Sequence, residues 1–375
     1  MINSFFVKIT AFFVTLAVSL SVFFGVFEPA TTKDAAQYHD GKIKNVIFLI
    51  GDGMGFNHLE KTKAERKSDL IMDSFEVGGS SMTRSMNKKV TDSAAGGTAL
   101  ACGIRTSNSA VGVYHLDKKP GFSYPKSITE LCIERGMLTG VVTTDETTGA
   151  TPSAFSAHSS DRYNTDDITN DQLNSEIDLI WGASNGVATK KDAEEKGFTY
   201  VTTYSEMQSL EEGSRSYAQF TNSLWTLEQS DENTPNLEQM ALKAVDLLDD
   251  TDEGFFLMIE GAHIDKHSHN NEGDNVTEAV LEFDRTIKAM LEYAEKDGET
   301  LVVVTADHET GGITLENGTY IFTDDGHTAA DVPVLVYGSD KLIADGARLN
   351  NYEIPIRIAY TLGFNEEQFP ASVIL

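Results

Sequence analysis

The sequence predicts an α/β fold, a three-layer sandwich in which a central, mostly parallel sheet carries helices on both faces. Three observations predict it. Short apolar runs recur without strict alternation, amphipathic helical patterns separate them, and carboxylates and imidazoles cluster directly after several of the runs. A strand that is apolar at every position is one covered on both sides, and polar groups placed just beyond it fall at the carboxyl edge of an open sheet, where ligands bind.

Taken in chain order, residues 9–27 (ITAFFVTLAVSLSVFFGVF) are uncharged and largely apolar, after Lys8 and before Glu28. They read as the core of an export segment within residues 1–36, either removed near Ala30–Ala36 as a signal peptide or retained as an amino-terminal membrane anchor. The protein is therefore expected in the periplasm or outside the cell. Residues 37–375 read as a single domain. Its first buried strand is 45–50 (NVIFLI), and the glycines of Gly51-Asp52-Gly53 then turn the chain sharply and bring a carboxylate to the sheet edge. Thr91-Asp92-Ser93-Ala94-Ala95 reads as a helix start capped by Asp92. A second strand covers 138–143 (LTGVVT). The stretch from about 163 to 252 is polar, acidic and poor in strong strands, and is expected as an insertion or cap on the same domain. Leu237, Met240, Ala241, Ala244, Val245 and Leu248 form one amphipathic helix, and Val276, Ala279, Val280, Phe283, Ile287, Met290 and Leu291 another. Between and after them lie the parallel-strand candidates 255–259 (FFLMI), 301–305 (LVVVT) and 332–337 (VPVLVY).

Composition narrows the function. A formal charge of -29, from 58 acidic against 29 basic residues, repels nucleic acid and anionic membrane surfaces. Cys102 and Cys132 are the only cysteines, and both sit in apolar helical stretches, which favours two unpaired thiols over a disulfide.

Chemistry concentrates after the later strands. Glu260-Gly-Ala-His263-Ile-Asp265-Lys266-His267-Ser-His269 follows FFLMI, and Ala306-Asp307-His308-Glu309 follows LVVVT. Asp265 and His269 stand one helical turn apart, and with His327 from the loop DDGHTA they make a three-ligand set with an open position. His263 and His267 are rival ligands at this stage. Ser93 lies at the positive end of a helix, where a phosphate group is stabilised; it is a candidate nucleophile, though a plain Asp-Ser cap has the same local sequence. No His-Asp pair lies near it in sequence, so its activation is expected from a bound cation.

The segments GDGMG, TDSAAGGTA, ATPSAFSAHSSDR, EGAHIDKHSH, TADHETGG and DGHTA, in this order over about residues 43–340, resemble the alkaline phosphatases. The resemblance implies an exported, homodimeric hydrolase of small phosphate monoesters, broad in substrate range, scavenging phosphate through a phosphoserine on Ser93. It makes Arg162 a bidentate clamp for the phosphoryl oxygens. It implies two zinc ions and one magnesium ion per chain: Asp265, His269 and His327 around the first zinc, Asp52, Asp307 and His308 around the second, and Asp52, Thr151 and Glu260 around magnesium. Two departures stand out. Gly149 occupies a position where relatives carry Asp or His near the third metal, and Lys266 is of a type that can reach phosphate through water. The alternatives are a phosphodiesterase or nucleotide pyrophosphatase of the same superfamily and an exported metal- or phosphate-binding protein without activity.

Overall fold

The computed structural model describes residues 35–115, 122–220, 233–249 and 251–370, so the apolar segment at 9–27 lies outside the described residues. Strand β1 (Asn45–Gly51) is buried at all its positions. Alternate side chains leave it in opposite directions. Val46, Phe48 and Ile50 join a core with Phe155 and Phe256, while Ile47 and Leu49 join a second with Trp181 and Phe283. Each such side chain contributes roughly 1.5–3 kcal/mol when fully buried, and two cores back to back on one sheet make the three layers.

The other strands of the sheet are β2 (Val77–Met82), β3 (Leu138–Glu146), β4 (Leu179–Ala183), β5 (Thr199–Val201), β6 (Ser216–Phe220), β7 (Phe255–Gly261), β8 (Thr300–Thr305), β9 (Val332–Tyr337) and β10 (Ala347–Asn350). Their order is β10-β2-β9-β8-β1-β7-β3-β4-β6-β5. Strand β1 pairs in parallel with β8 on one side and β7 on the other. In open α/β sheets ligands bind just beyond the carboxyl ends of such parallel strands.

The structure differs from two of the sequence expectations. First, the 163–252 stretch is no cap: it contributes β4, β5 and β6, which extend the sheet in parallel beyond β3. These strands are short and include Trp181, Tyr217 and the buried Gln219, whose amide donates to Thr147 Oγ1 at 2.7 Å, so their burial is not written as an apolar run. Second, β9 runs antiparallel to β8 and β2. An apolar run carries no direction. Residues 306–331 hold no described helix that could carry the chain back across a face of the sheet, so they stay at the carboxyl end and the next strand must return.

Five helices matter for the site: α1 (Ser93–Cys102), α2 (Ala150–Ser156), α3 (Leu237–Leu248), α4 (His263–His269) and α5 (Gly273–Asp297). The predicted apolar stripes of α3 and α5 face the second core. Cys102 and Cys132 are buried and free.

Candidate metal centre

Strands β1, β7 and β8 end side by side, and each releases its ligand residues at once. Asp52 follows β1, Glu260 is the penultimate residue of β7, and Asp307 and His308 follow β8. Asp92 caps α1, accepting from Ala95 N at 3.0 Å, and thereby sets Ser93 as the first helical residue. Glycines at 96 and 97 bring that helix close. A Cβ on Gly96 would lie 2.9 Å from the Asp307 carbonyl oxygen, and one on Gly97 would lie 3.1 Å from Thr151 Cα.

Around His308 Nε2 three oxygens converge: Ser93 Oγ at 3.1 Å, Asp307 Oδ2 at 3.2 Å and Asp52 Oδ1 at 3.5 Å. The other ring nitrogen, Nδ1, faces Thr310 Oγ1 at 3.2 Å. This is not the layout of a nucleophile, base and orienting carboxylate, which needs the carboxylate on the opposite ring nitrogen from the nucleophile. Here both carboxylates and the serine meet the same lone pair. Asp52 Oδ1 and Asp307 Oδ2 are buried without a hydrogen-bond partner, as is Thr151 Oγ1. Unpartnered buried oxygens beside an imidazole lone pair suit a divalent cation.

Asp265, His269 and His327 form a second group whose ligand atoms all lie within 4.8 Å of one another; Asp52, Asp265 and His308 do the same, so Asp265 stands between the two. His269 and His327 each direct Nδ1 at a backbone carbonyl, of Asp325 at 2.6 Å and of Thr91 at 3.0 Å. That leaves both Nε2 lone pairs pointing inward, 3.1 Å apart. Helix α4 also decides between the rival histidines. His263 and His267 share the four-residue spacing but occupy the other side of the helix, where His267 Nδ1 meets Glu272 Oε2 at 2.6 Å.

The electrostatics agree with an ion site. Burial, then the charges of Asp307, Asp265 and Glu260, push the Asp52 carboxyl well up from its ordinary range. Burial and then Asp265 raise Asp307 to about 6, and burial and then Asp145 raise Glu260 to about 8. Burial, then His327 and Arg162, hold His308 well below the usual imidazole range. Carboxylates crowded this way are stable as anions only beside compensating positive charge, and an imidazole kept neutral is one ready to ligate.

Arg162 lies on the same rim, its Nη1 3.8 Å from Asp92 Oδ2, with about a quarter of the side chain exposed. The looseness of that pair leaves the guanidinium free to take an oxyanion. Glu260 belongs to neither three-residue group; its Oε2 accepts from Thr143 Oγ1. Two residues were missed by sequence reasoning. Thr310, buried, donates from its hydroxyl to Asp265 Oδ1 while facing His308 Nδ1, and so ties one ligand group to the other. Asp145, at the end of β3, ion-pairs with Lys266. Asp145 had a signal of the kind used for the others, a carboxylate just past an apolar strand.

The alkaline phosphatase family profile matches residues 43–182 and 174–325. Alkaline phosphatase 4 of Bacillus subtilis is 34% identical over 316 residues, which cover 78% of this chain and 68% of that protein. The solved alkaline phosphatase of the Antarctic bacterium TAB5 superposes with a TM-score of 0.76 at 31% identity, covering 86% of this chain and 99% of that one. A variant of the same Antarctic enzyme, solved with Mg bound in its M3 site, superposes with a TM-score of 0.73 at 32% identity, covering 86% and 99%.

Proposed function

The chain belongs to the alkaline phosphatase family, and we propose that it hydrolyses phosphate monoesters through Ser93 as nucleophile and Arg162 as phosphoryl clamp. The observation that carries this assignment is the convergence of Ser93 Oγ, Asp307 Oδ2 and Asp52 Oδ1 on one lone pair of His308. Asp265, His269 and His327 would hold one zinc ion, and Asp52, Asp307 and His308 a second. Asp52, Thr151 and Glu260 offer only oxygen, which suits magnesium; the magnesium bound by the Antarctic relative's variant supports this third assignment. When bound, the cations supply Lewis-acid stabilisation of the entering and departing oxygens of the displacement.

The protein's own groups do the rest. Ser93 Oγ sits at the amino terminus of α1, where unpaired backbone N–H groups and the helix dipole favour the phosphoryl anion. Arg162 fixes two of its oxygens and leaves the ester oxygen facing the half-exposed His269 side. Attack by Ser93 forms the Ser93–phosphate bond as the bond to the alcohol oxygen breaks. Water then attacks the same phosphorus from the vacated side, the Ser93 Oγ–phosphorus bond breaks, Ser93 regains its proton, and inorganic phosphate departs. Because these contacts all address the phosphoryl group, the alcohol portion is weakly selected and the substrate range is broad, which suits phosphate scavenging.

The acidic surface leaves small monoesters as the partners and disfavours nucleic acid. The segment at 9–27 supports export, to the periplasm or the medium, by a cleaved signal or as a tether; among the described residues no helix is long and apolar enough to cross a membrane. The working assembly is a homodimer and residues 37–375 are one catalytic domain; light scattering and limited proteolysis check these two points. The chemical assignment is tested by quenching turnover of p-nitrophenyl phosphate in acid and locating the phosphate by mass spectrometry. Phosphate on Ser93 is expected, and its absence there with turnover intact sinks the covalent route.

A further inference from the structure

We propose that Asp145 supplies, from the end of β3, the carboxylate that position 149 lacks, anchoring Lys266 beside the third cation group, and that Gly149 and Asp145 are therefore a matched pair. This rests on the three-cation reading given above. A Cβ built on Gly149 would lie 2.4 Å from Asp145 Oδ2 and 3.0 Å from the Glu146 carbonyl oxygen. The carboxylate of Asp145 thus stands in the room that a side chain at 149 would take. Its other oxygen, Oδ1, pairs with Lys266 Nζ, one residue beyond the ligand candidate Asp265.

The backbone of Asp145 is held to the same place. Its N–H donates to Thr143 Oγ1 at 2.8 Å, and that hydroxyl donates to Glu260 Oε2. One threonine therefore fixes the distance between Asp145 and a candidate magnesium ligand. Magnesium keeps part of its water shell and is oriented through it, so a carboxylate just outside the ligands governs how firmly the ion sits. With Lys266 as its counter-charge, Asp145 does this without adding a net negative charge. The pair is partly open, with side-chain exposures of 39% for Lys266 and 22% for Asp145.

The test uses the zinc-loaded enzyme and magnesium titration, with zinc content and the circular dichroism spectrum as checks on folding. Asp145→Asn keeps the shape and gives up the charge, and Asp145→Ala gives up both; each should raise the magnesium dissociation constant about tenfold or more while zinc stays bound. Gly149→Asp in the intact background should weaken magnesium by about the same factor, because two carboxylates then compete for one place. The double variant Asp145→Ala with Gly149→Asp should return to within about threefold of the parent, a strong coupling of the two positions. Unchanged magnesium affinity in Asp145→Asn, or losses that simply add in the double variant, would overturn the placement of Asp145 alone. A parent enzyme that holds zinc and takes up no magnesium overturns the third-cation reading, and this proposal with it.

Discussion

The two ligand groups are built from similar residues in unlike surroundings. Asp52, Asp307 and His308 are 7%, 0% and 0% exposed, and Ser93 Oγ, the proposed nucleophile, lies 3.1 Å from His308 Nε2. On the other side, the His269 side chain is 38% exposed and that of His327 15%, and both are oriented by loop carbonyls. The closed group has almost no solvent exposure, and its imidazole is the direct neighbour of Ser93. The open group faces the solvent through which an alcohol leaves and water arrives. Under the proposed function the same residue types take a nucleophile-holding role on one side and an exchange role on the other, and burial makes the distinction.

Substitutions put this contrast to the test. The largest effect is expected in the closed group: His308→Ala should lower kcat/KM by about 1,000-fold or more, whereas His269→Ala should lower it by roughly 10–100-fold and recover in part with added zinc. Equal losses, or rescue of both, would show that exposure does not separate them. Next, Arg162→Ala should weaken inhibition by inorganic phosphate by about 10–100-fold, and Arg162→Lys should regain little, because lysine has no two-pronged donor. An unchanged inhibition constant removes Arg162 from the phosphate site.

A smaller effect is expected at the link between the groups. Thr310→Val should weaken zinc binding about tenfold, and Thr310→Ser should restore it. If valine is harmless, the hydroxyl does not couple the two sides. The smallest effect concerns pH. Asp307 and Glu260 have ordinary values of 3.8 and 4.5 and are raised in the fold to about 6 and about 8. Between those limits these two carboxyls hold more protons in the folded, metal-free protein than in the unfolded chain, so the stability they contribute is greatest below pH about 4 and declines as pH rises towards about 8. Chelated protein should therefore melt roughly a few degrees lower at pH 8 than at pH 5, and metal-loaded protein should lose this trend. A chelated melting point that climbs over the same range contradicts the crowding of carboxylates described above.

Much of this arrangement was legible in the sequence. The runs that became β1, β7 and β8 are apolar on both faces, and the candidate ligands follow them directly, so strand ends and candidate residues were read together. Asp92 and Ser93 were legible because a cap and a run of small residues have a local signature. Strands β4 to β6 were not, since Trp181, Tyr217 and Gln219 are buried through hydrogen bonds and ring packing as well as apolar contact. The direction of β9 was illegible because it depends on how residues 306–331 travel. Thr310 escaped notice because its role lies in two contacts across the fold, to Asp265 and to His308, that no spacing announces.

The closeness of α1 to its neighbours limits how this enzyme can be made hardier. Replacing a helical glycine by alanine is a common route to heat tolerance, worth roughly 0.5–1 kcal/mol at an accommodating site. At Gly96 and Gly97 the added methyl would press on the Asp307 carbonyl and on Thr151 Cα, and the helix would have to back away from the very residues Ser93 needs beside it. Thermal robustness gained there is expected to be taken from turnover, so directed evolution for durability should leave this segment alone and look to the far edges of the sheet.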